Sequence, residues 1–348
     1  MKKSSVWAMA AVILAGLLFV NAMQAKRASA KPSPADQSPA DRERFLRLQL
    51  FLDASDFKPG VIDGRWGEFT RKALARYEVA QGNPAPVFGE QPPTDFDVAL
   101  DNAKQLLIAY RLTADDEKNI GLIPKSHAEQ TKIPWLPFES ALDLVASKFH
   151  ATRDLLRAIN PGVDWGNLHP GAEVQVPDVA HPFDVQEAID FKKQTEQAEK
   201  ANAIPLEKDK PEAEQLSLHV NVAEEMMDVM RGGKLVGTYP ITPGSKSLPA
   251  PIGEWFVKGI DWMPTFRWDD AMLKRGERTA NAHMLPPGPN NPVGIVWMEL
   301  NHKGSGLHGT AEPETIGRAT SHGCIRLANW DALDLGKKIR PGIHVTIR

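Results

Sequence analysis

The sequence predicts a multidomain chain: a small all-α three-helix module, then a small α+β module, then a C-terminal all-β domain of sandwich or barrel-like form. Three observations predict it. Apolar residues recur at i, i+3 and i+4 in two separate stretches before Pro161, the period of helices with one buried face. At Leu216 the period switches to two, as in half-buried strands. Stretches poor in large apolar residues separate the three regions. A chain of 348 residues has the length for about two or three domains and a large core.

The composition, 42% hydrophobic and 24% charged with a formal net charge of −3, is that of a soluble globular protein and gives no basic excess for a nucleic-acid partner. Lys2 and Lys3 precede an apolar run from Val6 to Val20, and Ala28-Ser29-Ala30 follows. That is the order of a secretory signal, so residues 1–30 are expected to export the chain to the periplasm or cell wall. An uncleaved membrane tether is the alternative, although the run is short for spanning a bilayer. Residues 31–40, rich in Pro, Ser and Ala, read as a flexible tether.

Residues 41–112 carry the first module. Phe45, Leu46, Gln49, Leu50 and Leu52 form a helical stripe that Pro59-Gly60 breaks. Asp63-Gly64-Arg65-Trp66-Gly67 is a turn, Thr70–Ala80 is helical again, and Phe96–Tyr110 has helical spacing. Leu48–Leu52, Phe57–Gly67 with its I-D-G-x-x-G loop, and Thr70–Leu74 resemble the peptidoglycan-binding domain, a three-helix module. Tyr77-Glu78 departs from that family's usual aromatic and glutamine. Asp63 and Trp66 are open to two readings, contact with glycan or peptide, and helix capping with packing.

Residues 131–180 carry the second module. Leu142, Leu144, Val145 and Phe149 form one helical face, and Leu155, Leu156, Ala158 and Ile159 another. Asn160-Pro161-Gly162 ends the second helix, and Gly171–Pro177 is a short strand. This order resembles a LysM-like βααβ module, with its first strand placed in 132–137, and the resemblance implies binding of N-acetylglucosamine polymers. Residues 181–214 read as a charged linker. Within it Asp190–Ala203 is expected as a solvated helix without an apolar face.

In residues 215–348, Leu216, Leu218, Val220 and Val222 alternate with polar residues, and Met227 and Val229 resume the pattern. Gly232-Gly233 supplies the positive φ of a tight hairpin. Further strands are expected at 254–260, 293–300 and 343–347, and a helix at Trp330–Ile339.

The chain holds a single cysteine, Cys324, with His322 two residues before it and His308 sixteen before it. A thiol with histidines nearby has the composition of a Cys-His nucleophile, in which imidazole takes the proton and sulfur attacks a carbonyl. One cysteine forms no internal disulfide, so an exported chain that keeps it has it buried, reduced or used. The competing readings are a small buried hydrophobe and a zinc site made with His302, His308 and His322.

The carriers of a further resemblance run through most of this region. They are Gly232–Val236, Tyr239-Pro240-Ile241, Gly244, Pro251-Ile252-Gly253, Pro286–Gly294, His308-Gly309-Thr310, Ile316-Gly317 and Ser321-His322-Gly323-Cys324-Ile325-Arg326-Leu327. They resemble the YkuD-type catalytic domain of L,D-transpeptidases, with Ala250 standing where many members have threonine. The resemblance implies Cys324 as nucleophile and His308 as proton acceptor and donor. The implied substrate is a peptidoglycan tetrapeptide stem, acylating Cys324 as a thioester with loss of D-alanine. An amine would then resolve it to a 3→3 crosslink or a protein–wall bond. No cofactor or metal is implied. His322 is either catalytic or a shaper of the loop. Gly323 and Cys324 are candidate oxyanion donors through their backbone N–H groups, Ser321 a candidate to orient a histidine, and Arg326 either binds a substrate carboxylate or holds nearby carbonyls. Gly309 and Thr310 complete the supporting set. His283, Trp262, Trp268 and Trp297 are expected to pack or to form a lid. The rival functions are a non-catalytic wall-binding protein and an L,D-carboxypeptidase with water as acceptor.

Overall fold

The computed structural model describes residues 38–94, 100, 104–244, 248–275, 278–318 and 323–348. The chain divides into Met1–Arg42 and Glu43–Arg348. Of the first unit only residues 38–42 are described, opening helix α1 (Pro39–Ala54). The expected signal at 1–30 and most of the tether lie outside the described residues. Among those described, no helix is long and apolar enough to cross a membrane.

α1 packs against α2 (Glu68–Ala80) through Phe45, Leu48, Leu52, Ala73 and Leu74, and Phe57 from the turn after α1 joins the same cluster. Buried Gln49 organises the turn between them. Its amide donates to Asp63 Oδ1 (2.9 Å) and Thr70 Oγ1 (3.1 Å), and its carbonyl accepts from the backbone N–H of Gly64 (2.8 Å). Asp63 also accepts from Arg65 N (2.9 Å), and the Trp66 indole donates to Gly89 O (3.1 Å) while packing edge-on to Phe88. Both residues therefore have structural partners in and around the loop.

The third helix expected over Phe96–Tyr110 falls partly on residues 95–99 and 101–103, outside those described. Its C-terminal part is corrected. Leu107–Arg111 is strand β1, antiparallel to β2 (Glu173–Pro177), with Leu107 opposite Pro177 and Arg111 opposite Glu173. A short apolar run fits both periods, and a partner strand far away in sequence decides between them. β1 is also the strand that closes on β2, in place of the one sought at 132–137. Between β1 and β2 come α3 (Ala114–Lys118), α4 (His127–Gln130), α5 (Ala141–Lys148) and α6 (Arg153–Ile159). Ser140 caps α5 by accepting from Asp143 N, and Thr152 caps α6 by accepting from Leu155 N, so each satisfies a backbone donor that the helix itself leaves open.

The solvated helix expected at Asp190–Ala203 is corrected as well. It is α7 (Val185–Lys200), and its first turns bury Val185 and Ala188 while Phe191 stacks on Trp262 at 4.8 Å. Val185, Ala188 and Phe191 are spaced three residues apart and make the face, two of them upstream of the expected start.

The C-terminal region begins with β3 (Leu216–Asn221), β4 (Met226–Arg231), β5 (Lys234–Pro240) and β6 (Gly253–Trp262). A small hairpin follows, β7 (Phe266–Trp268) and β8 (His283–Leu285), with α8 (Asp270–Arg275) between its strands. β9 (Val296–Leu300), β10 (Gly306–His308), β11 (Ile325–Arg326), α9 (Asn329–Lys338) and β12 (His344–Ile347) complete it. The sandwich or barrel expected from sequence is one curled eight-stranded sheet, in the order β11-β10-β9-β6-β12-β3-β4-β5. β6 joins its halves. Residues 253–256 pair with β12, residues 257–262 pair with β9, and the register shifts between Val257 and Gly259. A bulge of that kind bends a strand and lets one sheet cover its own core.

The upstream segments dock on this sheet. Thr238 of edge strand β5 exchanges backbone bonds with the turn after α1, donating to Asp56 O (3.0 Å) and accepting from Lys58 N (2.9 Å). Arg76 of α2 binds Asp228 of β4 (2.6 Å) and Glu224. Ile62 exchanges backbone bonds with His150 O (2.7 Å) and Thr152 N (3.0 Å), which ties the first module to the second. Leu136 bonds to both sides of the 286–292 loop, through Pro287 O (2.9 Å) and Asn290 N (3.2 Å).

Candidate active site

β10 ends on His308, and β11 begins one residue after Cys324. They pair in parallel, Leu307 with Ile325 and His308 with Arg326. Continued one residue back, the register sets Cys324 level with Gly306. Side chains alternate along a strand, so His308, Cys324 and Arg326 share one face. Strands lie about 4.8 Å apart and two residues advance about 6.6 Å, which puts the Cα atoms of Cys324 and His308 roughly 8 Å apart, within reach of a thiol and an imidazole turned toward each other.

His308 is 5% exposed and stacks on Trp297, its cross-strand neighbour on β9 (centroids 5.5 Å apart). Its Nδ1 lies 2.7 Å from Gly309 O. A carbonyl only accepts, so Nδ1 carries the hydrogen and Nε2 presents a lone pair. Burial pulls the imidazole pKa down to about 4, with the Arg326 charge adding to the effect against the Gly309 bond. The Cys324 thiol moves the other way. Burial pushes it up, against the opposing pull of the Gly306 backbone and the Arg326 guanidinium. Its sulfur donates to Gly304 O at 3.8 Å. The resting pair is therefore neutral thiol and neutral imidazole.

The supporting residues divide by what they touch. Gly323 has φ +92, a conformation that glycine adopts without strain just before the cysteine. Gly309 is required for space, since a Cβ there would overlap Asn329 Oδ1. Thr310 is buried and accepts from Glu312 N (3.3 Å), shaping the turn. Arg326 is paired through its backbone with Thr242 in both directions, each bond 3.0 Å. Ser321 and His322 lie outside the described residues. Trp262 is buried under α7, and Trp268, paired with His283 across the β7–β8 hairpin, stacks on His127 at 3.9 Å. His302 bonds Ser305 Oγ (2.9 Å). Among the described residues no cluster of three or more His, Cys, Asp or Glu is arranged to hold a metal.

Two residues of the site were missed in the sequence. Asn329 is 3% exposed, donates to Pro289 O (2.9 Å) and accepts from Ile295 N (3.3 Å), so it joins the 286–294 loop to the start of α9. A polar residue beside the apolar Trp330–Ile339 pattern was its only signal. Thr242 is buried, and its Oγ1 accepts from Gly317 N (2.8 Å), fastening the 311–318 segment. Gly309→Ala is expected to expel the Asn329 amide from these bonds. A loss of about 1–3 kcal/mol in urea unfolding is the expected cost of leaving such buried groups unpaired, and unchanged stability would contradict it.

Residues 216–347 match the YkuD family model, described as the L,D-transpeptidase catalytic domain. A Bacillus licheniformis protein assigned the name L,D-transpeptidase YkuD is 25% identical over 206 residues, which is 59% of this chain and 92% of that protein. That span is longer than 216–347, so the likeness continues upstream of the catalytic region. A protein of Escherichia coli strain K12 assigned the name L,D-transpeptidase YbiS is 31% identical over 121 residues, 33% of this chain and 38% of that protein. Among solved structures, the catalytic domain of an E. faecium L,D-transpeptidase is 21% identical, with 40% of this chain and 100% of that one covered and a TM-score of 0.31. The resemblance read from the sequence is thus found again in the C-terminal region, where residues 216–347 match the L,D-transpeptidase catalytic domain.

Proposed function

We propose that this chain is a peptidoglycan L,D-transpeptidase in which Cys324 is the nucleophile and His308 the base. One observation carries the reading: the parallel β10–β11 pair puts thiol and imidazole on one face, with the His308 tautomer held by Gly309 O. Nε2 accepts the thiol proton as sulfur adds to the carbonyl of the donor stem's third residue. Backbone N–H groups at Gly323 and Cys324 are the proposed donors to the oxyanion. The tetrahedral intermediate collapses, the bond to D-alanine breaks, and the imidazolium returns its proton to the departing amine. That leaves a thioester. An incoming amine gives its proton to Nε2, attacks the thioester and forms the new amide, and sulfur leaves as the thiol. The guanidinium of Arg326 favours negative charge developing on sulfur.

Exported peptidoglycan is the proposed location and partner. The amine is either a second stem or a wall-anchored protein, and the upstream modules supply contacts to the wall. Incubation with tetrapeptide muropeptides tests the reading. Intact mass is expected to show the protein gaining the stem less D-alanine, and the medium gaining D-alanine. Wall binding with neither product would favour the binding-protein reading. D-alanine release with only hydrolysed stem would favour the carboxypeptidase.

The neutral resting pair predicts the pH profile. His308 accepts a proton only when neutral, and its depressed pKa keeps it neutral down to about 4. The acid limb of kcat/KM is therefore expected near 4, falling tenfold per unit below it, with no inflection near the ordinary histidine value of about 6.5. A limb near that ordinary value would instead indicate a solvated base.

A further inference from the structure

The 311–318 segment, between His308 and Cys324 in sequence, is held at two places by residues upstream of Leu216. At the first, Glu314 Oε1 accepts from the backbone N–H of Arg153 (3.1 Å) and from its guanidinium (3.4 Å). Arg153 opens α6, and its guanidinium is steadied from the other side by Asp143 of α5 (2.5 Å). At the second, Gly317 has φ +72, and a Cβ there would overlap the ring of Phe69 on α2. Gly317 N donates to Thr242, and Thr242 is paired with Arg326, two residues beyond Cys324. Each module thus contributes one contact to the loop, and the loop is tied through Thr242 to the strand that follows Cys324.

We propose that Arg153 and Phe69 are positioning residues, through which the two upstream modules hold the 311–318 segment and thereby set the placement and reactivity of Cys324. The consequence for turnover rests on the transpeptidase reading above. The consequence for the thiol does not. Neither residue touches reacting atoms. Arg153 acts through Glu314, and Phe69 acts through Gly317 and Thr242. Release of either contact loosens the 311–318 segment and, through Thr242 and its pairing with Arg326, lets Cys324 shift relative to His308. Misplacement of about 1 Å costs on the order of 100-fold in rate, so a contact that restrains such a shift acts on kcat before KM.

The test uses the full chain with Arg153→Ala, Glu314→Ala, the pair combined, Arg153→Lys and Phe69→Ala. Arg76→Ala is the control, because it loosens the docking on β4 without touching the loop. Two readouts are taken, the rate of Cys324 alkylation by iodoacetamide against pH, and kcat and KM for D-alanine release from a tetrapeptide muropeptide. Glu314→Ala, which removes both bonds to Arg153, and Phe69→Ala are each expected to lower kcat by roughly 10- to 100-fold with KM nearly unchanged, and Arg153→Ala, which keeps the backbone bond, by less. The alkylation profile is expected to shift toward lower pH, as a thiol released from burial regains its ordinary acidity. Arg153→Ala and Glu314→Ala are expected to be non-additive, Arg153→Lys to restore most of the kcat, and Arg76→Ala to leave the alkylation profile unmoved. Alkylation profiles matching wild type in all loop-contact variants would overturn the proposal, as would the same shift in Arg76→Ala. If wild type releases no D-alanine but the profile shifts as expected, the transpeptidase reading fails while the positioning role stands.

Discussion

Cys324→Ala is expected to abolish acyl transfer, with no thioester mass and no D-alanine above background, while binding to isolated wall stays near wild type. Loss of a catalytic nucleophile costs on the order of 10⁶-fold, about 8 kcal/mol of transition-state stabilisation. The variant should fold, since the side chain is half-buried, its contact to Gly304 O is a long one, and it shrinks to a methyl group. Wild-type transfer by Cys324→Ala would refute the nucleophile assignment, whereas loss of wall binding along with transfer would show that the site itself grips the wall. His308→Gln is the companion variant. It retains an amide in place of the ring but no basic nitrogen, and general-base loss is expected to lower kcat by about 10²–10⁴-fold.

Asp53→Ala is expected to cause the largest loss of stability, about 3–5 kcal/mol, the usual result of removing one partner from a buried ion pair. Asp53 and Lys58 are both nearly fully buried and 3.5 Å apart, and His150 Nδ1 lies 3.3 Å from the same carboxylate. His150 in turn stacks on Trp330 of α9 at 5.0 Å, so the pair sits where all three regions meet. Burial alone would raise the Asp53 pKa, but His150 and Lys58 outweigh it and hold the carboxyl well below the usual range. Without Asp53, the Lys58 ammonium keeps the attraction of Asp334, Asp331 and Asp56, and burial pushes the Asp331 carboxyl well above its ordinary range. Urea unfolding checks the loss. Asp53→Leu combined with Lys58→Met is expected to recover much of it, because a buried pair replaced by apolar groups of similar volume is often neutral or better. The sign with pH follows from the depressed folded pKa. The Asp53 contribution is complete above about 3.9 and is lost as pH falls toward the folded value, so acid unfolding of the wild type should include a component that Asp53→Ala lacks.

Local pattern made the hairpin at Gly232-Gly233 legible, and both glycines have positive φ, +54 and +77. It also placed the last helix to within one residue at each end, Asn329–Lys338 against Trp330–Ile339. The thiol and its distant histidine were legible from residue type and motif. What sequence could not carry is pairing at long range. β1 reads as a helix tail until β2 supplies its backbone partners, and β6 reads as one strand of a sandwich until its bulge makes it the seam of a single sheet. The same limit hides polar burial. Asp53, Lys58 and His150 look like solvated charges in a linear pattern and become a packed cluster only when three segments converge. Asn329 and Thr242 carry no motif, because their partners lie in loops that the sequence does not bring together.

The backbone exchange between Thr238 and Asp56–Lys58 bears on how the protein behaves in pieces. β5 is an outermost strand of the curled sheet, and a bare strand edge offers unpaired N–H and C=O groups to any other chain. The turn after α1 occupies part of that edge, and the Lys338–Asp56 ion pair (2.8 Å) fastens it there. A fragment beginning near Leu216 would keep His308 and Cys324 but lose this cover. Its liability would be colloidal before it was chemical, with self-association growing with concentration through open β5 edges, and the upstream segment acts here as a built-in guard against aggregation.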